Sequence, residues 1–118
     1  MKILFFIVIL LIGGCSEKFK ADPVLAGNML RNCNIGYPSG CYILAGMNRR
    51  GKGVVENKKF AVELYSKACD LNYGLGCYEL GQMYDSGEGV ERDVLKANKF
   101  LEKACEDSQF KKIASGCD

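Results

Sequence analysis

The chain has 118 residues, with 16 basic and 14 acidic side chains, seven cysteines and no histidine. This near-neutral balance, without a basic block, gives no indication of a nucleic-acid partner, and the length allows one small domain. Because histidine and a C-x-x-C pair are both missing, the composition argues against a zinc site and against a histidine-activated cysteine nucleophile. We therefore expect no metal and no cofactor.

Residues 1–14 have the pattern of a signal peptide. Lys2 precedes a wholly apolar run over residues 3–12, which is too short to cross a bilayer as a helix but suits an export signal. The small residues Gly13 and Gly14 before Cys15 resemble a bacterial lipobox, which predicts cleavage before Cys15 and a lipid on its thiol. With Ser16 next, this form predicts an outer-membrane lipoprotein facing the periplasm. The alternative is an ordinary secretory signal cut nearby, which leaves a free thiol on a secreted protein.

Residues 15–22 are short and polar, and we interpret them as a tether. Pro23 then suits the first turn of a helix that extends to Asn32. Three residues of this segment lie 36 positions before their counterparts in the repeat described next: Leu25, Leu30 and Cys33 match Ala61, Ser66 and Cys69. Residues 23–39 are therefore predicted to form the second half of a preceding repeat, which caps the N-terminal end.

Two consecutive units, residues 40–75 and 76–111, repeat with a constant offset of 36 and no gap. Landmark residues of the first unit recur in the second: Gly40, Gly53 and Cys69 correspond to Gly76, Gly89 and Cys105. A period in this range is typical of repeat arrays, in which each unit is one supersecondary element that stacks on its neighbours.

Each unit is predicted to be a helix–loop–helix hairpin. In the second unit, apolar residues fall at helical spacing over residues 77–86 and again over residues 94–105, and Gly87 and Gly89 separate the two runs. Asp93 is placed to cap the second run, as Asn57 is in the first unit. Alanines at 61, 68, 97 and 104 allow close helix contact. The predicted fold is all-α, a short α-solenoid of antiparallel hairpins.

The C-terminal end departs from the period. The spacing between Cys105 and Cys117 is 12 residues, whereas Cys69 and Cys77 are 8 apart. Because residues 115–117 match residues 39–41, we expect residues 112–118 to begin a further, truncated repeat.

These motifs resemble the Sel1-like repeat, a relative of the tetratricopeptide repeat. The residues that carry the resemblance are Leu80, Gly81, Tyr84, Gly87, Glu88, Gly89, Val90, Asp93, Lys96, Ala97, Lys103 and Ala104. The first unit departs from the pattern at Ala45, Asn48 and Phe60, so the two units present different surfaces. The cysteines make the chain similar to the cysteine-rich Sel1-like proteins of Helicobacter, which implies a disulfide-stapled array of helix pairs.

The six cysteines that remain after Cys15 are expected to form disulfides, because an export signal directs the chain to an oxidising compartment. Many pairings are possible, but the repeat register selects Cys33–Cys41, Cys69–Cys77 and Cys105–Cys117. Each pair brackets the loop from a second helix to the next first helix, and antiparallel packing brings those ends together.

The family resemblance also implies an enzyme hypothesis, because the cysteine-rich relatives have been assigned β-lactamase or penicillin-binding activity. Ser108 and Lys111 fit the S-x-x-K pattern of serine β-lactamases, but the companion motifs S-D-N and K-T-G are absent. The match also falls within the long loop between Cys105 and Cys117, so a structural loop is the favoured interpretation. Binding or hydrolysis of a β-lactam or peptidoglycan-like ligand stays as the alternative function.

A binding module is the leading functional hypothesis, since stacked hairpins leave a concave face that usually binds peptides or proteins. The first helices of the units would line it, with a protein or peptide of the periplasm or cell exterior as partner. Polar residues predicted there are Arg49, Arg50, Glu79, Gln82 and Asp85. Two alternatives stand beside this hypothesis: these side chains are merely solvated, or the protein is an envelope component without a discrete ligand.

Overall fold

The computed structural model describes residues 20–117 and contains six helices in that range. They are α1 (Pro23–Asn34), α2 (Pro38–Arg50), α3 (Lys58–Asp70), α4 (Gly74–Ser86), α5 (Val94–Ala104) and α6 (Ser108–Ile113). The predicted signal peptide, Cys15 and most of the predicted tether lie outside the described residues. None of the helices within residues 20–117 is long and apolar enough to cross a bilayer.

The described residues form the predicted all-α array of helix hairpins. Each of the first four helices packs on the next in chain order, so α2 with α3 and α4 with α5 make two complete hairpins, and α1 covers α2 as a half-repeat. The predicted caps are confirmed: the side chains of Asn57 and Asp93 accept hydrogen bonds from the backbone N–H groups of Phe60 and Lys96, both at 3.0 Å.

Small residues let the helices approach closely, as the sequence predicts. Ala61, Ala68, Ala97 and Ala104 are completely or almost completely buried. Larger apolar side chains fill the space around them, above all Tyr65, Leu80 and Met83, which are at most 2 % exposed. This continuous core extends across both hairpins, so each hairpin needs its neighbour to bury its apolar face.

The repeat boundaries differ slightly from the predicted ones. The first helices of the two hairpins begin at Pro38 and Gly74, two residues before the predicted unit starts at 40 and 76. The preceding residues Tyr37 and Tyr73 make no side-chain cap. The start of α4 therefore carries no cap signal in the sequence, whereas Pro38 at the start of α2 is a helix-start signal that the repeat alignment did not use.

The C-terminal end differs more. A helix, α6, already begins at Ser108. Of residues 112–118, predicted to open a further repeat, 112 and 113 end this helix and 114–117 are not helical. The Asp107 side chain accepts hydrogen bonds from the backbone N–H groups of Gln109 (2.9 Å) and of Gly74 (2.8 Å), and Phe110 is buried. The cap and the buried ring therefore start this helix early and tie it to α4.

Candidate functional site

Three adjoining clefts lie along α2 and α4, the first helices of the two hairpins. Their volumes are about 220, 280 and 540 Å³. Arg50 lines both the first and the second cleft, and Glu79 lines both the second and the third. Because neighbouring clefts share these residues, we treat them as one surface, the α2–α4 groove.

At the centre of the groove, one arginine joins the two hairpins. The Arg49 guanidinium donates through Nη1 to Glu79 on α4, and through Nε (3.1 Å) and Nη2 (2.8 Å) to Glu88 in the following loop. Lys58 Nζ lies 3.6 Å from Glu88 Oε1, the oxygen that accepts from Arg49 Nε. The hydrogen bond from Arg49 is the main cause that lowers the pKa of Glu88 below its usual range. The centre therefore carries charges that largely neutralise each other.

Three tyrosines stand behind this centre. Tyr42 packs against Tyr65 and Tyr73, with ring centroids 5.7 and 5.5 Å apart. Burial is the main cause that raises the pKa of Tyr65, and the Glu79 carboxylate adds to it. Burial likewise raises the pKa of Tyr42. Both phenols therefore stay neutral at physiological pH and offer hydrogen-bonding groups on a rigid aromatic base.

Arg50 differs sharply from its neighbour Arg49. Its side chain is exposed and folds back over Gly46, so that a β-carbon at Gly46 would lie 2.9 Å from Arg50 Nη2. Arg50 takes part in none of the salt bridges formed by residues 20–117. Lys52 lines the same 220 Å³ cleft. This end of the groove is consequently positive.

The 540 Å³ cleft at the other end is mainly apolar. Tyr78 on α4 packs against Phe110 of α6, with ring centroids 5.6 Å apart, and the exposed Ile113 forms part of the wall. The full lining is Leu75, Tyr78, Glu79, Gln82, Leu101, Cys105, Phe110, Ile113, Ala114, Ser115, Gly116 and Cys117.

Four of the five polar residues proposed from the sequence line the groove: Arg49, Arg50, Glu79 and Gln82. Asp85 does not line it; its side chain is exposed, and its backbone carbonyl accepts a hydrogen bond from Arg92. Of these four residues, Arg49 and Glu79 form an ion pair with each other. Arg50 takes part in no ion pair within the described residues, and Gln82 is uncharged.

The aromatic side chains of the groove were not proposed from the sequence. Tyr42 and Tyr78 occupy equivalent positions of the two units, 36 residues apart. Because both tyrosines lie on the helices expected to line the concave face, this equivalence was the sequence signal that could have indicated them as groove residues. Phe110 and Ile113 carried no such signal, because they belong to the irregular C-terminal segment.

Ser108 and Lys111 do not form a catalytic arrangement in the described structure. Ser108 is the first residue of α6 rather than part of a loop, which corrects the predicted setting. Both side chains are exposed, neither lines the groove, and within residues 20–117 no side-chain hydrogen bond involves either. Among the residues that the structure describes, the seryl hydroxyl has no hydrogen-bond partner that could activate it.

The six cysteines of the described residues pair as the repeat register predicts: Cys33–Cys41, Cys69–Cys77 and Cys105–Cys117. The first two bridges are buried, with each cysteine at most 1 % exposed, whereas the third is partly exposed and lies at the rim of the 540 Å³ cleft. In residues 20–117 no cluster of three potential metal ligands occurs.

The fold and groove define a class: a disulfide-stapled array of helix hairpins. The Sel1 repeat profile matches residues 38–73 and 74–108, and these ranges coincide with the two hairpins. The chain therefore belongs to the Sel1 repeat family.

The solved structures that resemble the chain include the following two. Cysteine-rich protein B (HcpB) of Helicobacter pylori is 32 % identical, with a TM-score of 0.68, over 75 % of this chain and 68 % of that one. A Sel1 repeat protein from Oxalobacter formigenes is 22 % identical, with a TM-score of 0.67, over 72 % of this chain and 36 % of that one, and it shows the fold alone. No curated protein matches at a significant level. The three disulfides and the likeness to HcpB indicate an extracytoplasmic protein.

Proposed function

We propose that this protein is an exported, lipid-anchored module of the cell envelope that binds a peptide or protein segment in the α2–α4 groove. The observation that carries the proposal is the groove itself: clefts that share lining residues run along the first helices of both hairpins. Their aromatic, apolar and charged linings suit a peptide, because aromatic side chains and arginine dominate binding energy at protein interfaces.

A random peptide display selection against the exported protein tests the binding function. Ile113 is 73 % exposed and lines the groove, whereas Leu95 is 78 % exposed and lines none of the three clefts. We expect Ile113→Asp to weaken the selected peptides about tenfold and Leu95→Asp to leave them unchanged. Because both positions are exposed, neither variant should unfold the protein. Peptides that lose affinity equally in both variants would contradict the proposed surface.

The anchor rests on the small residues that precede Cys15, and its test is independent of the groove. We expect the parent protein to incorporate labelled fatty acid and to fractionate with membranes. The Cys15→Ser variant should lose the label and be released or misprocessed. A variant that keeps the membrane fractionation of the parent would overturn the proposed lipidation.

The β-lactam alternative has no comparable support, since Ser108 and Lys111 lie outside the groove and are exposed. Hydrolysis of a chromogenic cephalosporin by pure protein would separate an enzyme from a binder. We expect no turnover, and no difference between the parent and Ser108→Ala.

A further inference from the structure

We propose that the groove selects an extended peptide in which an acidic residue and an apolar residue stand four or five positions apart in the sequence. The acidic group would pair with Arg50, and the apolar group would enter the cleft between Tyr78, Phe110 and Ile113. This inference rests on the proposed function and adds to it the chemistry and spacing of the ligand.

The acidic preference follows from the charges of the groove. Arg49 is satisfied by Glu79 and Glu88, so it has little charge left to offer a ligand. Arg50 takes part in none of the salt bridges in residues 20–117, and Lys52 lines the same cleft. A carboxylate bound here gains charge-assisted hydrogen bonds from a guanidinium that forms no ion pair with residues 20–117.

The side chain of Arg50 is also held in place. Its Nε lies 3.4 Å from the Gly46 carbonyl oxygen, and its Nη2 rests over the hydrogen of Gly46, where any side chain would displace it. In the second unit, the position equivalent to Gly46 is occupied by Gln82, so this arrangement belongs to the first unit alone. The groove consequently has one basic end rather than two.

The apolar preference follows from the opposite end. Tyr78 and Phe110 form a tilted aromatic pair, and Ile113 presents its side chain to solvent at the rim of the same 540 Å³ cleft. The nearest carboxylate of the lining, Glu79, is bonded to Arg49. An apolar side chain placed here covers exposed hydrocarbon without stranding an unpaired charge.

The spacing follows from helix geometry. Arg50 lies eight residues after Tyr42, the counterpart of Tyr78, which is about 12 Å along the helix axis. The helices α2 and α4 are in contact, and packed helices are about 8–10 Å apart. The diagonal between the backbone positions of Arg50 and Tyr78 is therefore about 15 Å. An extended chain covers this distance in four or five residues, at about 3.3 Å each.

The test uses dye-labelled synthetic peptides on a Gly-Ser backbone, each with one Glu and one Phe at separations from one to eight residues. Fluorescence anisotropy measures their binding to the exported protein. We expect the tightest binding at a separation of four or five. Replacing Glu by Gln should weaken that peptide about fivefold, and raising the salt concentration should shrink this difference. A peptide with Lys in place of Glu that binds as well as the parent would overturn the proposal.

Protein variants locate the two ends. Arg50→Ala should abolish the preference for Glu over Gln while retaining the preference for Phe over Ala. Ile113→Asp should have the reverse effect. Arg31→Ala is the matched control, since Arg31 is an exposed arginine on α1 that lines none of the three clefts. An Arg50→Ala variant that keeps its preference for Glu would contradict the assignment of the acidic site.

The failure of this inference can be distinguished from the failure of the proposed function. If random selection yields groove-dependent peptides without the acidic and apolar pattern, the inference is wrong and the binding function stands. If selection yields no peptide that depends on Ile113, both are wrong.

Discussion

At the scale of single residues, Arg49 and Arg50 show how neighbours in sequence acquire different roles. Arg49 is 22 % exposed and bridges the two hairpins through Glu79 and Glu88. Arg50, one position further around the helix, is exposed and faces the cleft. Removing Arg49 would leave the partly buried Glu79 carboxylate without an ion pair and Glu88 with Lys58 alone. Removing Arg50 changes only the proposed ligand surface.

The ion pair between Arg49 and Glu88 predicts a specific pH dependence. Because the folded pKa of Glu88 is lowered, its contribution to stability is complete above the unfolded pKa, about 4.3, and is lost as pH falls through the folded pKa. Glu88→Gln should therefore lower the free energy of unfolding by about 1 kcal/mol at neutral pH, and this difference should vanish in acid. Denaturant unfolding from pH 7 to pH 2 measures it.

Glu91→Gln serves as the control, because Glu91 is exposed and takes part in none of the ion pairs in residues 20–117. A Glu88→Gln difference that stays constant down to pH 2 would show that the pair contributes no charge-dependent stability.

Gly89 carries a second residue-scale prediction. Its φ is +70°, and a β-carbon there would lie 2.6 Å from the backbone carbonyl of Lys58 in the preceding hairpin. Gly89→Ala is expected to destabilise by about 3 kcal/mol, since it combines backbone strain with a backbone clash. Gly27 lies within α1 with no atom within 4 Å of a β-carbon, so Gly27→Ala should stabilise by about 0.5 kcal/mol. Thermal unfolding compares the two; equal effects would refute the close approach at Gly89.

At the scale of helices, each disulfide joins the end of a second helix to the segment that follows it. Cys69–Cys77 lies between the two complete hairpins and is buried on both sides. Cys105–Cys117 closes a longer loop, but it is partly exposed and joins α5 to the non-helical end of the described residues. Packing around the bridge, rather than loop length, should therefore decide its contribution.

Paired replacements by alanine test this order. Cys69→Ala with Cys77→Ala should lower the melting temperature most, because it leaves a void in the central interface. Cys105→Ala with Cys117→Ala should lower it least, although loop entropy alone would favour this bridge by a few tenths of a kcal/mol. A reversed order would mean that closure of the unfolded chain outweighs native packing.

At the scale of the whole molecule, the array is short and depends on its bridges. Two hairpins and a half-repeat share one core, so the described domain should unfold as a unit under oxidising conditions. Loops of this length stabilise by about 2–3 kcal/mol each in the chain-entropy model. Three such bridges contribute about 8 kcal/mol, which is comparable with the entire stability of a typical small domain.

We therefore expect the fully reduced protein to be largely unfolded at 37 °C, whereas the oxidised protein shows a single cooperative transition above that temperature. Far-ultraviolet circular dichroism with and without reductant measures both states, and alkylation with mass analysis verifies the reduction. A reduced protein with native helix content and a cooperative transition would show that the core alone suffices.

Much of the fold could be predicted from the sequence, because it depends on local and periodic signals. The 36-residue period, the glycines between the runs, and the caps at Asn57 and Asp93 act within one hairpin, and the structure contains them as predicted. The disulfide pairing followed for the same reason, since each bridge repeats one position of the period.

The sequence by itself determined the hairpin array, its disulfide register and the helices that carry the groove. The tertiary structure alone decided which of their polar residues, within positions 20–117, take part in ion pairs, because this depends on contacts between units. Arg49 and Arg50 look alike in sequence, but Glu88 lies 39 residues away and neutralises only Arg49. Likewise, α6 closes the groove because Asp107 accepts a hydrogen bond from Gly74, 33 residues earlier, at the opposite end of the second repeat.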